Sequence, residues 1–405
     1  LNIFIQLDKI ITDKLIMDPV YFDNAATTPV DPDVLETMLP YFTQDFGNAD
    51  AAHQFGRNCK VAVEDAREEI ARLLNAEPSE IIFTSGGTES DNAAIKGVFS
   101  ALSPAGKNEI ITSPIEHHAV IHPAESLKRQ GANIVYLKPN SDGIITADQV
   151  KEAITDKTAV VSLMHVNNEI GSINPVKEIA AVCNEAGVPF HSDTVQSVGK
   201  IPVDVKEIGL NMLSISAHKI YGPKGIGVLY IKNGTPWIPW LQGGSQERRR
   251  RGGTSNIPGI VGLTKALELC DKNMEANTQK FVALRKKLID GLESRFEGKF
   301  TINGPQDGGV PHIINIGFKT NSNQGLDGEM LLLNLDIEGV CVSNGSACTS
   351  GATEPSHVLQ EVVADDGITN SSIRVSFGKQ NSEKEIDFFL DKLEDVLDRM
   401  MKVAS

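Results

Sequence analysis

The chain is short of paired cysteines, of long apolar runs, of positive charge and of repeats, and each shortage closes off a class of protein. Its five cysteines, Cys59, Cys183, Cys270, Cys341 and Cys348, are odd in number, widely spaced and never in a CxxC pair. That pattern argues against a disulfide framework and against a zinc site, and it suits a reducing compartment. No apolar run is long enough to span a bilayer. Against 53 acidic side chains stand 38 basic ones, a net charge of -15. Phosphate repels such a surface, so neither a nucleic acid nor an anionic membrane is the expected partner. Internal repeats, low-complexity tracts, GxGxxG and the GK[ST] ending of a triphosphate loop are all missing.

The first 18 residues are apolar in parts (Ile3-Phe4-Ile5, Ile10-Ile11, Leu15-Ile16), but Asp8, Lys9, Asp13 and Lys14 interrupt them. They contain no arginine and no small-residue cleavage site, so they read neither as a transit peptide nor as a signal peptide. Met17 stands just before the first motif, and we take it as the natural start, with residues 1–16 an artefact or a loose extension.

What is present reads as an ordinary globular protein, with 40% hydrophobic and 22% charged residues. A chain of 405 residues exceeds one compact core, which predicts two domains. The expected division is an extension at 1–18, a segment at 19–30 packed with the smaller domain, a large domain at 31–270 and a small one at 271–405. Short apolar runs recur between helical segments: Ile81 to Ser85, Glu109 to Thr112, Asn133 to Leu137, Ala159 to Met164, Gly187 to His191 and Met212 to Ile215. Their alternation predicts an α/β fold with a mostly parallel sheet covered by helices, Gly227 to Ile231 being an antiparallel edge. Ligands then bind at the carboxyl ends of the strands. A long amphipathic helix is expected over 259–292 with a break near Asp271, followed by a smaller α/β unit.

Three stretches carry chemistry. In Ser214 to Gly225, Lys219 follows an apolar run and precedes Gly222-Pro223, with Ser216 and His218 as flanking donors. A lysine held as a free amine can form a Schiff base with an aldehyde. Gly86-Gly87-Thr88 lies between a strand and a helix, where backbone N–H groups and the helix dipole bind phosphate. The third stretch, Ser343 to Thr353, is almost wholly small residues with Cys348 at its centre, an exposed position that suits a reactive thiol. Polar groups also follow other strands: Glu116-His117-His118, His165 to Glu169, and Asp193 with Gln196. Arg248 to Arg251, before Gly252-Gly253-Thr254, reads either as a solvated basic loop or as an anion contact.

Taken together, His165 to Gly171, Ser216 to Gly227 and Ser346 to Val358 resemble the cysteine desulfurases of the NifS/IscS type, a class-V aminotransferase family of pyridoxal-phosphate (PLP) fold type I. The resemblance runs from about Val20 to the last helix. It implies a cytoplasmic PLP-dependent homodimer that takes sulfur from L-cysteine, releases L-alanine and passes the sulfur to an acceptor. An iron–sulfur scaffold protein is the leading acceptor and a tRNA-thiolation relay the second. It further implies that Lys219 carries the cofactor, Asp193 bonds its pyridine nitrogen, Gln196 reaches its ring hydroxyl and His117 stacks on its face. Gly87, Thr88, Ser216 and His218 would hold the phosphate, with Thr254 added from the partner subunit. Asn168, which also borders the cofactor, and Arg374 would hold the substrate carboxylate. Cys348 would take the sulfur as a persulfide, and His117 would accept the substrate's thiol proton. No metal is expected. The chain departs from the family at Asn48-Ala49-Asp50, where Asn-Pro is frequent, and at His118, where a basic residue is frequent. A selenocysteine lyase or an aminotransferase on the same fold is the alternative enzyme, and a non-catalytic sulfur-carrier scaffold the alternative from another class.

Overall fold

A computed structural model describes residues 19–319, 326–344 and 355–403. The strands are β1 (Val20–Tyr21), β2 (Ile81–Thr84), β3 (Glu109–Thr112), β4 (Asn133–Tyr136), β5 (Thr158–Ser162), β6 (Phe190–Asp193), β7 (Met212–Ser216) and β8 (Gly227–Ile231). Further along come β9 (Phe300–Asn303), β10 (Ile313–Phe318), β11 (Val340–Cys341) and β12 (Ser372–Ser376).

Seven strands form one sheet in the order β2-β8-β7-β6-β5-β3-β4. Only β8 runs against its neighbours, pairing antiparallel with both β2 and β7. The other strands therefore end at one edge of the sheet. β2, β5, β6 and β7 are buried at every position, as a sheet covered on both faces requires. The expected strand at 187–191 begins later, because Gly187 sits at φ 65° in the turn that closes the helix before it. Helix 87–102 starts directly on the glycine turn.

The second sheet is antiparallel, in the order β12-β10-β9. β1 pairs parallel with β11, so Val20 and Phe22 share a core with Leu288, Ile316, Val375 and Phe389. The expected break near Asp271 is absent, and Ile257–Phe296 is one continuous helix of 40 residues. Its residues 257–270 pack into the large-sheet core and Phe281 to Phe296 into the small-sheet core. The polar stretch between them spans the gap without losing helical backbone, so the apolar stripe lapses while the helix continues.

Candidate functional site

At the carboxyl edge of the large sheet the strand ends enclose a cavity of about 190 Å³. It is lined by Gly87 and Thr88 after β2, His117 after β3, Asn168 after β5, Asp193 and Gln196 at and after β6, and Ser216, His218 and Lys219 at and after β7. Arg374, from β12 of the second sheet, closes it together with Ala25 and Ala26. Ten of the expected site residues thus meet in one place. Thr254 does not line the cavity and is exposed on this chain. Cys348 lies outside the described residues.

Local geometry explains why these sequences serve. After β7 the chain makes a single 3-10 turn, Ala217–Lys219, and folds back so that Gly222 N–H donates to Ala217 O at 2.9 Å. A Cβ on Gly222 would come within 2.8 Å of Ala217 Cβ, so the turn requires glycine. Tyr221 is held at φ 65°, a left-handed conformation costly for a bulky residue. Its backbone N–H donates to Thr28 Oγ1 at 2.8 Å, and its hydroxyl accepts from Lys379 N–H at 2.8 Å. Lys219 Nζ is thereby aimed at the loop after β1, where it donates to Ala25 O and Ala26 O at 2.7 Å each.

Burial sets the electrostatics. Asp193 accepts from Val195 N–H at 2.9 Å, and desolvation still pushes its carboxyl above the usual range. Asp91 and Glu116, also fully buried beside it, are pushed well up by burial and by the Asp193 charge. Burial, and then the nearby Lys219 charge, lowers His117 to about 4. Its Nδ1 accepts from Ala119 N–H at 3.0 Å, so the neutral ring carries its hydrogen on Nε2. His218 is lowered to about 4, again by burial first, and Nδ1 meets Thr27 Oγ1 at 3.2 Å.

Arg374 is 1% exposed. One arm donates to Asp23 Oδ1 at 2.7 Å and the other to Asn168 O at 2.9 Å, while Nε is buried with no partner among the described residues. Asp23 was missed by sequence reasoning although it stands in the first motif, and Asp91, which lines the cavity from the helix after Gly86, was missed as well. The arginine run is largely engaged within the chain. Arg251 forks onto Glu89 at 2.8 and 3.0 Å, Arg248 reaches Glu64 at 3.0 Å and Arg250 donates to Ser79 O at 2.6 Å.

The donor set fits pyridoxal phosphate. N–H groups at the start of a 16-residue helix, with the Ser216 hydroxyl and His218, suit a phosphate. Asp193 is a buried carboxylate held short of full compensation, the counter-charge that a protonated pyridine nitrogen needs. Lys219 supplies an amine on the same cavity wall. Among the described residues no cluster of histidine, cysteine and carboxylate groups has metal-binding geometry, and no helix is long and apolar enough to cross a membrane.

Comparison with known proteins gives the same direction. A family profile described as aminotransferase class-V matches residues 20–389. The chain is 45% identical over 385 residues to a protein named cysteine desulfurase IscS from Dictyoglomus turgidum, covering 95% of this chain and 96% of that one. It is 43% identical to one named putative cysteine desulfurase IscS 1 from Bacillus subtilis, covering 95% and 100%. Among solved structures, a NifS-like protein superposes with a TM-score of 0.87 at 36% identity, covering 94% of this chain and 100% of that one. SspA in complex with cysteine gives a TM-score of 0.77 at 38% identity, covering 88% and 98%.

Proposed function

This chain belongs to the class-V aminotransferase family and, within it, to the cysteine desulfurases, and we propose that it holds PLP on Lys219 and gathers the sulfur of L-cysteine on Cys348. The observation that carries the reading is the convergence of Lys219, Asp193, His117 and the Gly87–Thr88 helix start on one cavity. When bound, PLP supplies an electron sink that draws electron density from the attached amino acid.

The side chains divide the remaining work. Asp193 holds the proton on the ring nitrogen, and its own raised pKa is relieved by that cation. Thr88, Ser216 and His218 fix the phosphate end. Gln196 reaches the ring hydroxyl. His117 would cover one face of the ring, and it offers the cavity an Nε2–H. Acceptance of the substrate's thiol proton at Nδ1 would require it to release Ala119 N–H. Lys219 Nζ, displaced by substrate, carries protons between substrate atoms as a general base and acid. Asn168 and Arg374 would bind the substrate carboxylate, the two residues being joined by the Arg374 donation to Asn168 O on the cavity wall.

Cys348, as a thiolate, would then attack the substrate sulfur, forming the S–S bond of a persulfide as the C–S bond breaks with its electron pair left on the substrate carbon, which takes up a proton to give alanine. The other four cysteines are poor candidates for a thiolate. Burial raises Cys183 to about 12 and Cys270 to about 11, and it also raises Cys59 and Cys341. Ser356 Oγ donates to Glu169 Oε2 at 2.5 Å, which ties Ser356 to the loop that carries Asn168.

We assign the large domain to 31–270 and the small one to 271–405, with 19–30 joined to the latter, a division supported by the two separate cores. A homodimer is supported by the exposed Leu35, Leu39, Phe42, Phe46 and Phe55, an apolar set a monomer would leave in water. Exposed Thr254 would then serve the partner's cavity. The acceptor we favour is an iron–sulfur scaffold protein in the cytoplasm.

Cys348→Ser should keep the visible absorption band of the bound cofactor and stop sulfide release from L-cysteine. Undiminished sulfide from that variant would remove the persulfide step.

A further inference from the structure

Lys200 follows Gln196 by four residues on the turn after β6, and the reaction as described gives it no part. Its Nζ donates to Gln196 Oε1 at 2.8 Å. At the other end of the same amide, Gln196 Nε2 donates to Ala25 O at 2.9 Å. These partners decide which way the amide faces. An ammonium group can only donate and a carbonyl oxygen can only accept. Turning the amide over would set N–H against N–H at Lys200 and oxygen against oxygen at Ala25. One hydrogen on Nε2 is used by Ala25, and the second is left for a ligand in the cavity that Gln196 lines.

We propose that Lys200 is a positioning residue that fixes the polarity of Gln196, so that the amide offers the ring hydroxyl of the cofactor an N–H and not a carbonyl oxygen. The proposal rests on the reading of Gln196 as the contact to that hydroxyl. A phenolic oxygen that carries negative charge is stabilised by a donor and repelled by a carbonyl, so the orientation bears on the ring's protonation as well as on its placement.

The surroundings make this control sensitive to pH. Lys200 is faced by Lys219 and His218 at the cavity, by Arg374 of β12, by His312 before β10 and by Cys270 of the long helix. In the cofactor-free protein, burial first, and then the Lys219 charge, brings its pKa down from 10.5 to about 7. Below that value the amine is a pure donor and the amide is locked. Above it the neutral amine also offers a lone pair and the lock loosens.

The test is the pH titration of the visible band of the holoenzyme. Gln196→Ala should move the apparent pKa of the band by about half a unit or more. Lys200→Met should move it in the same direction. Lys200→Arg, which restores a charged donor, should return it towards wild type. In the Gln196→Ala background, Lys200→Met should add clearly less than it does alone. The proposal is overturned if Lys200→Met titrates like wild type while Gln196→Ala is shifted, or if the two shifts add in full. An unshifted Gln196→Ala would instead overturn the assignment of Gln196, and the proposal with it.

Discussion

The two sheets face the cavity from opposite sides and treat charge in opposite ways. At the edge of the large sheet, Asp91, Glu116 and Asp193 are buried with carboxyls pushed up, while the buried His165 and His191 and the half-buried His117 and His218 have imidazoles pushed down. The second sheet contributes Arg374, whose charge is matched by Asp23 at 2.7 Å. Near it, Lys379 pairs with Asp31, and on its outer surface Arg295 pairs with Asp391 and Lys392 with Glu338. Charge left partly uncompensated in a buried place marks where a ligand completes the structure. Of these matched pairs, Arg374 with Asp23 borders the cavity, where the guanidinium would also meet the substrate carboxylate; the others hold the fold together.

The largest expected effect breaks the uncompensated side. Asp193→Asn removes the counter-charge to the ring nitrogen, and alanine formation from L-cysteine should fall by about 10²-fold or more. Protein folding should be little changed in that variant, since an amide is easier to bury than a carboxylate.

The same side should show itself in the cofactor-free protein as pH falls. The histidines have folded pKa values near 4 or 3, below their unfolded value of 6.5, so their contribution is intact above 6.5 and is lost as pH falls towards 4. The raised carboxyls act with opposite sign over the same fall, because each is protonated in the fold while still ionised in the unfolded chain, and they offset most of the histidine loss. Urea midpoints should therefore move little between pH 6.5 and 5, by about 1 kcal/mol. A loss of several kcal/mol over that interval would mean that the carboxyls are better solvated than their burial implies.

On the matched side, Asp23→Asn leaves Arg374 buried without its counter-charge and should cost about 3 kcal/mol in urea unfolding. The smallest effect belongs to the outer surface. Arg295→Ala, which removes contacts to Asp391 and Glu394, should change stability by less than about 1 kcal/mol and leave turnover alone.

The contrast also explains what could be read from the sequence. Strand ends, the glycine turn at Gly86-Gly87, and the Lys219 stretch are local patterns, each confined to a few neighbouring residues, and they were legible. The pairing of Asp23 with Arg374 joins residues 351 positions apart and leaves no local trace. No local pattern singles out Lys200, because what marks it is the carbonyl of Ala25 on a distant loop acting through Gln196. The long helix was misread near Asp271 for a related reason. Apolar spacing reports burial, and Asp271 to Lys280 bridges two cores without belonging to either.

Treating the holoenzyme with borohydride fixes the cofactor to the lysine that holds it, and peptide mapping then identifies that lysine. The account predicts the cofactor mass on the peptide containing Lys219. Recovery on Lys200, whose lowered pKa makes it the rival amine one residue behind the cavity wall, would contradict it.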